Sequence, residues 1–254
     1  MRKADNEARL SREQEEAANA GVKAMIPIGR PFLDYLLHGL ADAGYREICL
    51  VIGPEHDKIR TYYGETVKPS RLKIGFAVQE KPLGTADAVA AGEEFAGEDD
   101  FLAINSDNYY PREALEGLRA IEGPGLAVFD RNTMIAESNI PADRVSKFAV
   151  AMIEDGYLTR IIEKPSPEVL ARLPEPVGLS MNCWRFDERI FEACRSISPS
   201  PRGELEITDA VQYAIDRLGT RFRALPFAAP VLDITSRADI EKVAAKLKGS
   251  EVRL

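Results

Sequence analysis

The stretch from residue 101 to residue 110, Phe-Leu-Ala-Ile-Asn-Ser-Asp-Asn-Tyr-Tyr, constrains the fold more than any other part of the chain. Four apolar residues in a row, then four short polar ones, read as a buried strand that stops at a loop. An unbroken apolar run suits a strand covered on both faces of a parallel sheet. In open α/β sheets, ligands bind in the crevice outside the carboxyl ends of the strands. Asp107 therefore falls where a ligand would sit, on a loop fixed by a rigid strand. Taken alone, Asn-Ser-Asp is more simply a turn, because these side chains hydrogen-bond their own backbone. The rest of the chain has to decide between the two.

The flanking segments alternate between the two periods. Lys23 to Pro27 reads as a brief extended stretch, and Pro31 opens a helix whose buried stripe is Phe32, Tyr35, Leu36 and Leu40, ended by Gly44. Ile48 to Ile52 is a strand, a helix spans about Glu55 to Tyr63, and Leu72 to Gln79 is the next strand. After the loop Lys81 to Thr85, an alanine-rich helix covers Ala86 to Phe95 and leads into Phe101 to Asn105. This order predicts an α/β fold with a doubly wound, mostly parallel, Rossmann-like sheet. A short helix to Ile121 and a strand at Leu126 to Phe129 follow. Val145 to Ile153 and Tyr157 to Glu163, joined by Glu154-Asp155-Gly156, predict a small antiparallel elaboration. A proline-rich excursion over Pro165 to Pro176 precedes a strand at Val177 to Phe186. Ile207, Ala210, Val211, Ala214, Ile215 and Leu218 mark a helix face, Val231 to Ile234 a short strand, and Ser236 caps the final helix. A charged segment over residues 1 to 22, with a short helix capped by Ser11, precedes all of this. No internal repeat occurs, so residues 1 to 254 read as one domain.

Composition removes several function classes. A formal net charge of −8 disfavours non-specific nucleic-acid binding. Any phosphate ligand would depend on a few local basic groups and a metal. No apolar run approaches the roughly 20 residues that span a bilayer, and the polar start does not read as a signal peptide. Three cysteines without metal-site spacing point to a reducing, cytoplasmic setting. The two histidines, His38 and His56, read as structural or surface groups, which argues against histidine-rich metal sites and most Ser-His or Cys-His nucleophiles.

Six pieces in order now resemble one family: Lys23 to Pro27, Gln79 to Thr85, Asn105 to Asn108, Glu163-Lys164-Pro165, Gly203 to Ala210, and Asp233. The most telling is Arg-Gly-Glu-Leu-Glu-Ile-Thr-Asp-Ala over 202 to 210. Together they resemble the sugar-1-phosphate nucleotidyltransferases over about residues 22 to 247. Ser180 to Trp184 is similar to a strand in one bacterial branch. The resemblance implies an enzyme that converts an NTP and a sugar 1-phosphate to an NDP-sugar and pyrophosphate with Mg2+, and it allows a homo-oligomer. It implies that Asp107 and Asp233 bind the metal, that Lys23 lies near the NTP phosphates, and that Lys164 approaches the sugar phosphate. Gln79, Pro82, Gly84 and Thr85 match the loop that reads the base, with Thr85 also capping the helix it opens. Glu163 and Asn182 match sugar-contacting positions, and Asn182 and Ala149 stand where many relatives have glycine. Asp209 is expected to cap or orient its helix.

The family's glycine-rich phosphate loop, Gly-x-Gly-Thr-Arg, and the strand before it have no counterpart in the sequence. Met1-Arg2 is similar to the residues that follow that loop, so the expectation is a start at an internal methionine. Two other readings stay open: a non-catalytic nucleotide- or sugar-nucleotide-binding regulatory protein on this fold, and a cytidylyl enzyme acting on phosphocholine or a cofactor.

Overall fold

The computed structural model describes residues 11, 14, 15, 17, 22–173 and 175–254. In chain order it places α1 (Phe32–Asp42), β1 (Glu47–Ile52), α2 (Asp57–Thr61), β2 (Lys73–Val78), α3 (Thr85–Ala91) and α4 (Glu93–Ala96). Next come β3 (Phe101–Ile104), β4 (Asn108–Tyr109), α5 (Arg112–Ala120), β5 (Gly125–Asp130), α6 (Arg131–Glu137) and α7 (Ala142–Val145). The chain continues through β6 (Ala149–Glu154), β7 (Tyr157–Ile162), α8 (Pro167–Leu170), β8 (Gly178–Phe186) and α9 (Arg189–Ser196). It closes with α10 (Ile207–Leu218), β9 (Arg223–Phe227), β10 (Leu232–Asp233) and α11 (Arg237–Leu247). Among the described residues no helix is long and apolar enough to cross a membrane.

The first half follows the periodicity. Phe32, Tyr35, Leu36 and Leu40 are buried, and Gly44 at φ +94° stops the chain from continuing as helix. β1 and β2 pair in parallel from Glu47↔Lys73 to Ile52↔Val78, with α2 in the crossover. Ser236 and Asp239 form the reciprocal capping box that starts α11. Most of the expected charged segment over 1 to 22 lies outside the described residues. Within it, Ser11 Oγ accepts from Gln14 N at 3.2 Å and Gln14 Oε1 accepts from Ser11 N at 3.0 Å, the same capping device.

Strand direction differs from the mostly parallel expectation. The six-stranded sheet runs β3-β8-β5-β9-β7-β6, and only β5·β9 is parallel within it. An apolar run reports burial and carries no information about a neighbour's direction. β8 inserts between β3 and β5 and runs against both. A further β6·β8 pairing makes β8, β5, β9, β7 and β6 a closed circuit of hydrogen-bonded neighbours. β3 is half-buried rather than fully covered, because it pairs on one side alone among the described residues. Two expected strands also begin elsewhere. Lys23–Met25 is a turn of 3-10 helix, and residues 142–145 form α7, so β6 starts only at Ala149.

Two larger cores flank this arrangement, and a smaller one packs Ile26, Phe32 and Ile234 against α11. Of the larger two, one joins α1, β1, β2 and α5 with Tyr110, Phe129 and Leu179. The other gathers Trp184, Phe186, Phe191 and Phe222 with the apolar faces of α3, α9 and α10. Trp184 and Phe186 stack with ring centroids 5.8 Å apart. Burying such rings is the main reason these helices stay on this face of the sheet.

Candidate active site

A two-residue ladder brings the segments that carry the two aspartates together. β4 and β10 pair antiparallel with Asp233 opposite Asn108, and Ile234 N donates to Asp107 O at 3.0 Å. The ladder thus brings the strand-end turn of β3 beside a segment from near the end of the sequence. Lys23 Nζ reaches Asp107 Oδ2 at 2.6 Å. Asn108 Nδ2 donates to Asp233 Oδ2 at 2.9 Å, and Arg144 donates to Asp233 Oδ1 at 3.1 Å. Burial pushes the Asp233 carboxyl above the ordinary carboxylate range, and the charge of Asp107 adds to the rise. A hydrogen bond with Thr235 and the Arg144 and Lys23 charges oppose it.

Tyr110, fully buried under this turn, donates to Met181 O at 2.7 Å and lies 3.3 Å from Asn108 Oδ1 and Asn182 O. It ties the acidic turn to the middle of β8. Asn182 itself has φ +53°, a left-handed backbone in which a Cβ is strained. Asn tolerates this better than most residues, and glycine bears no penalty, which explains why glycine would serve at this point. Its Oδ1 accepts from Trp184 Nε1 at 3.3 Å. Both Asn182→Gly and Asn182→Ala lose that bond, so their difference isolates the backbone. Asn182→Ala is expected to be less stable than Asn182→Gly by about 1 kcal/mol, read from urea midpoints.

The loop before α3 is locked to the segment leading into α10. Leu205 N donates to Leu83 O at 2.7 Å and Ala86 N to Leu205 O at 2.9 Å. Gln79 Nε2 donates to Gly84 O at 3.0 Å and to Asp87 Oδ2 at 2.8 Å, which fixes the loop from within. Leu83 stays 44% exposed beside Pro82. Thr85 does not cap α3; its Oγ1 accepts from Ile207 N at 2.9 Å and so caps α10. The reason is the zipped backbone, which carries Thr85 across to an amide 122 residues away.

Glu163 and Lys164 follow β7 and face the same segment. Lys164 has φ +45°, a second strained non-glycine position among the candidate residues. Burial pushes the Glu163 carboxyl up; Glu206 repels it, whereas Lys164 and Arg202 act the other way. Arg202 forks onto Glu206, and Ser200 Oγ donates to the same Oε1 at 3.0 Å. Asp209, in the first turn of α10, is also raised by burial and by Glu206. A carboxyl raised on folding binds protons more readily in the folded chain. Stability therefore climbs as pH falls into the window just above the ordinary glutamate range, and drops as pH rises through it. Glu163→Gln should flatten that slope in urea midpoints taken across the acid-to-neutral range. An unchanged slope would assign the effect to other groups.

Lys23, Asp107 and Asp233 thus form one cluster. Glu163 and Lys164 form another with Arg202, Glu206 and Asp209, linked to the Gln79–Thr85 loop through Leu205–Ile207. His38 and His56 are structural: the first meets Asp42 at 3.4 Å, and the second takes Gly53 N at 3.0 Å. The sequence reading missed Asn108, Arg144 and Asn139. Asn139 clasps the Asp233 peptide from both sides, donating to its O at 2.8 Å and accepting from its N at 2.9 Å. Adjacency to Asp107 could have flagged Asn108. Nothing in local periodicity points from residues 139 and 144 to a partner so far along the chain.

The nucleotidyl transferase family model matches residues 18–226. The chain is 30% identical over 212 residues to the low-salt glycan biosynthesis nucleotidyltransferase Agl11 of Haloferax volcanii, covering 78% of this chain and 54% of that one. It is 32% identical over 200 residues to a glucose-1-phosphate thymidylyltransferase of Streptomyces griseus, covering 78% and 52%. The chain therefore spans about half the length of these relatives. A UDP-glucose pyrophosphorylase solved with UDP-glucose superposes with a TM-score of 0.71 at 19% identity, covering 90% of this chain and 91% of that one. At that identity the likeness establishes the α/β fold.

Proposed function

Because the chain belongs to the nucleotidyl transferase family, we propose that it joins an NTP to a sugar 1-phosphate, giving an NDP-sugar and pyrophosphate. The observation that carries this reading is the β4·β10 ladder, which pairs Asp233 with Asn108 and so sets it beside Asp107, with Lys23 on Asp107. In this reaction a sugar phosphate oxygen attacks the α-phosphorus, and several negative charges gather at one point. Catalysis of this kind is positioning plus charge offset.

The acidic pair fits magnesium. Its donors are hard carboxylate oxygens, and Mg2+ is commonly held by one or two carboxylates together with substrate phosphates. Among the described residues no group of three or more His, Cys, Asp and Glu side chains is placed to hold a metal by itself. Bound there, magnesium supplies Lewis-acid offset of phosphate charge. Lys23 leans on Asp107 in the free protein and turns its point charge to the NTP phosphates on binding. Lys164 steers the sugar phosphate, and Glu163 takes hydrogen bonds from sugar hydroxyls. The Gln79–Thr85 loop, held rigid by Leu205, receives the base, with Pro82 and exposed Leu83 as its apolar surface and Gly84 allowing close backbone approach. Asn182 places backbone groups near the sugar through its left-handed turn.

The test is pyrophosphate release from a panel of UTP, dTTP, CTP and GTP with several sugar 1-phosphates, the product identified by mass. One NTP and sugar pair should stand out, with turnover dependent on Mg2+. Tight nucleotide binding without pyrophosphate release under any pairing would move the protein to the non-catalytic reading.

A further inference from the structure

The acidic pair already has its own cations. Lys23 sits 2.6 Å from Asp107, and Arg144 sits 3.1 Å from Asp233, so two carboxylates face two protein cations. Arg144 is the more unusual of the pair, because it bridges. Its second terminal nitrogen donates to Asp239 Oδ2 at 2.8 Å, while its Nε is buried without a hydrogen-bond partner. Asp239 is committed elsewhere. The same Oδ2 accepts from Ser236 N at 2.7 Å and from Ser236 Oγ at 2.9 Å, holding the start of α11.

The two ends of the bridge differ in what holds them. Asp239 is fixed by the cap. Asp233 has a fixed peptide, clasped by Asn139 and by the ladder, but its carboxylate Oδ1 is held by Arg144. A divalent cation placed on that carboxylate would meet the guanidinium at close range. Like charges sharing one small anion in a buried site repel strongly. Of the groups at the site, Arg144 can yield most easily, since it keeps an ion pair with Asp239 when it lets go.

We propose that Arg144 is a built-in counter-cation: it occupies Asp233 in the metal-free protein and retreats onto Asp239 when a divalent cation binds between Asp107 and Asp233. This rests on the metal reading of the acidic pair above. Arg144 is a positioning residue in this scheme, acting through Asp233 and never touching substrate. The device keeps a buried carboxylate paired when no metal is present, at the expense of metal affinity. It also couples metal occupancy to α7 and to the first turn of α11.

Mn2+ alone, titrated into the full chain and followed by electron paramagnetic resonance or calorimetry, tests this without any turnover. Removing the competing charge in Arg144→Gln should tighten Mn2+ binding about tenfold, the equivalent of one charge-assisted hydrogen bond no longer displaced. Arg144→Lys, whose single ammonium cannot span both carboxylates, should tighten it less. A purely structural role for Arg144 predicts the opposite, since loosening α7 would weaken the site. Unchanged or weaker binding in a folded Arg144→Gln overturns the proposal. Should that variant fail to fold by circular dichroism, wild-type affinity in Arg144→Lys overturns it instead. If wild type takes no Mn2+ at all, the metal reading itself falls and the counter-cation role falls with it.

Discussion

Asp107→Asn is expected to lower pyrophosphate release by about three orders of magnitude or more while leaving the protein folded. The carboxylate sits at a turn and is about one-quarter exposed, and its ion pair with Lys23 is partly open to water. Pairs of that kind contribute roughly 0–1 kcal/mol, so a thermal melt should barely move. The loss should therefore appear as rate and not as unfolding. Asp233→Asn is expected to cost a similar factor in rate but more in stability, because its partner Arg144 would be left bridging to an amide in a buried setting. If both groups serve one metal, the double variant should be little worse than either alone. Initial rates at saturating substrates, with melts alongside, decide the matter. An Asp107→Asn enzyme that keeps a tenth of the wild-type rate would remove the acidic pair from the mechanism.

Asp107 stood out because it follows an apolar run, and strand ends are where open α/β sheets place ligands, whereas Asp233 came from the family resemblance. The order of motifs pointed to the family, which the family match over residues 18–226 bears out, although that match ends before Asp233. Alternation of strand and helix gave the β1-α2-β2 unit and the boundaries of α1, α10 and α11, because those segments bury one clean stripe each. Strand direction was not legible. β8 is largely buried whether its neighbours run with it or against it, and its place between β3 and β5 depends on pairings from 48 (Asp130↔Gly178) to 85 (Phe101↔Phe186) residues apart. α7 was missed for a related reason. α7 is a single turn, held by packing and by Arg144, with too few residues to show a period. Thr85 shows the limit at one side chain. A threonine at the first position of a helix reads as that helix's own cap, yet the backbone pairing of Leu83 and Ala86 with Leu205 delivers its hydroxyl to α10. Arg144 and Asn139 belong to the same class: their role exists only because a distant strand arrives beside them.

Gly84→Ala is expected to be the most damaging single methyl group that could be added near the site. A Cβ at Gly84 would lie 2.3 Å from Leu205 O and 2.6 Å from Leu205 N, and φ there is +130°. Both obstacles are backbone atoms, so no rotamer change can relieve the clash. The same atoms make the bonds that zip the loop to the α10 segment, so yielding would also break Leu205 N to Leu83 O and Ala86 N to Leu205 O. Thr85 would then lose its hold on Ile207 N. Overpacking and a forbidden backbone region together should cost about 3 kcal/mol or more. Gly97→Ala is the matched comparison: φ is +59°, but nothing lies within 4 Å of the added carbon. Backbone strain alone there, with ψ at −129°, should cost roughly 1–3 kcal/mol. Both variants carry backbone strain, so the clash at Gly84 should set its urea midpoint below that of Gly97→Ala, with Gly84→Ala also losing NTP affinity and Gly97→Ala keeping it. Equal midpoints would mean that the loop and the α10 segment are not packed as tightly as this. In that case the rigid base-reading loop, and the route by which Leu205 supports it, would have to be abandoned.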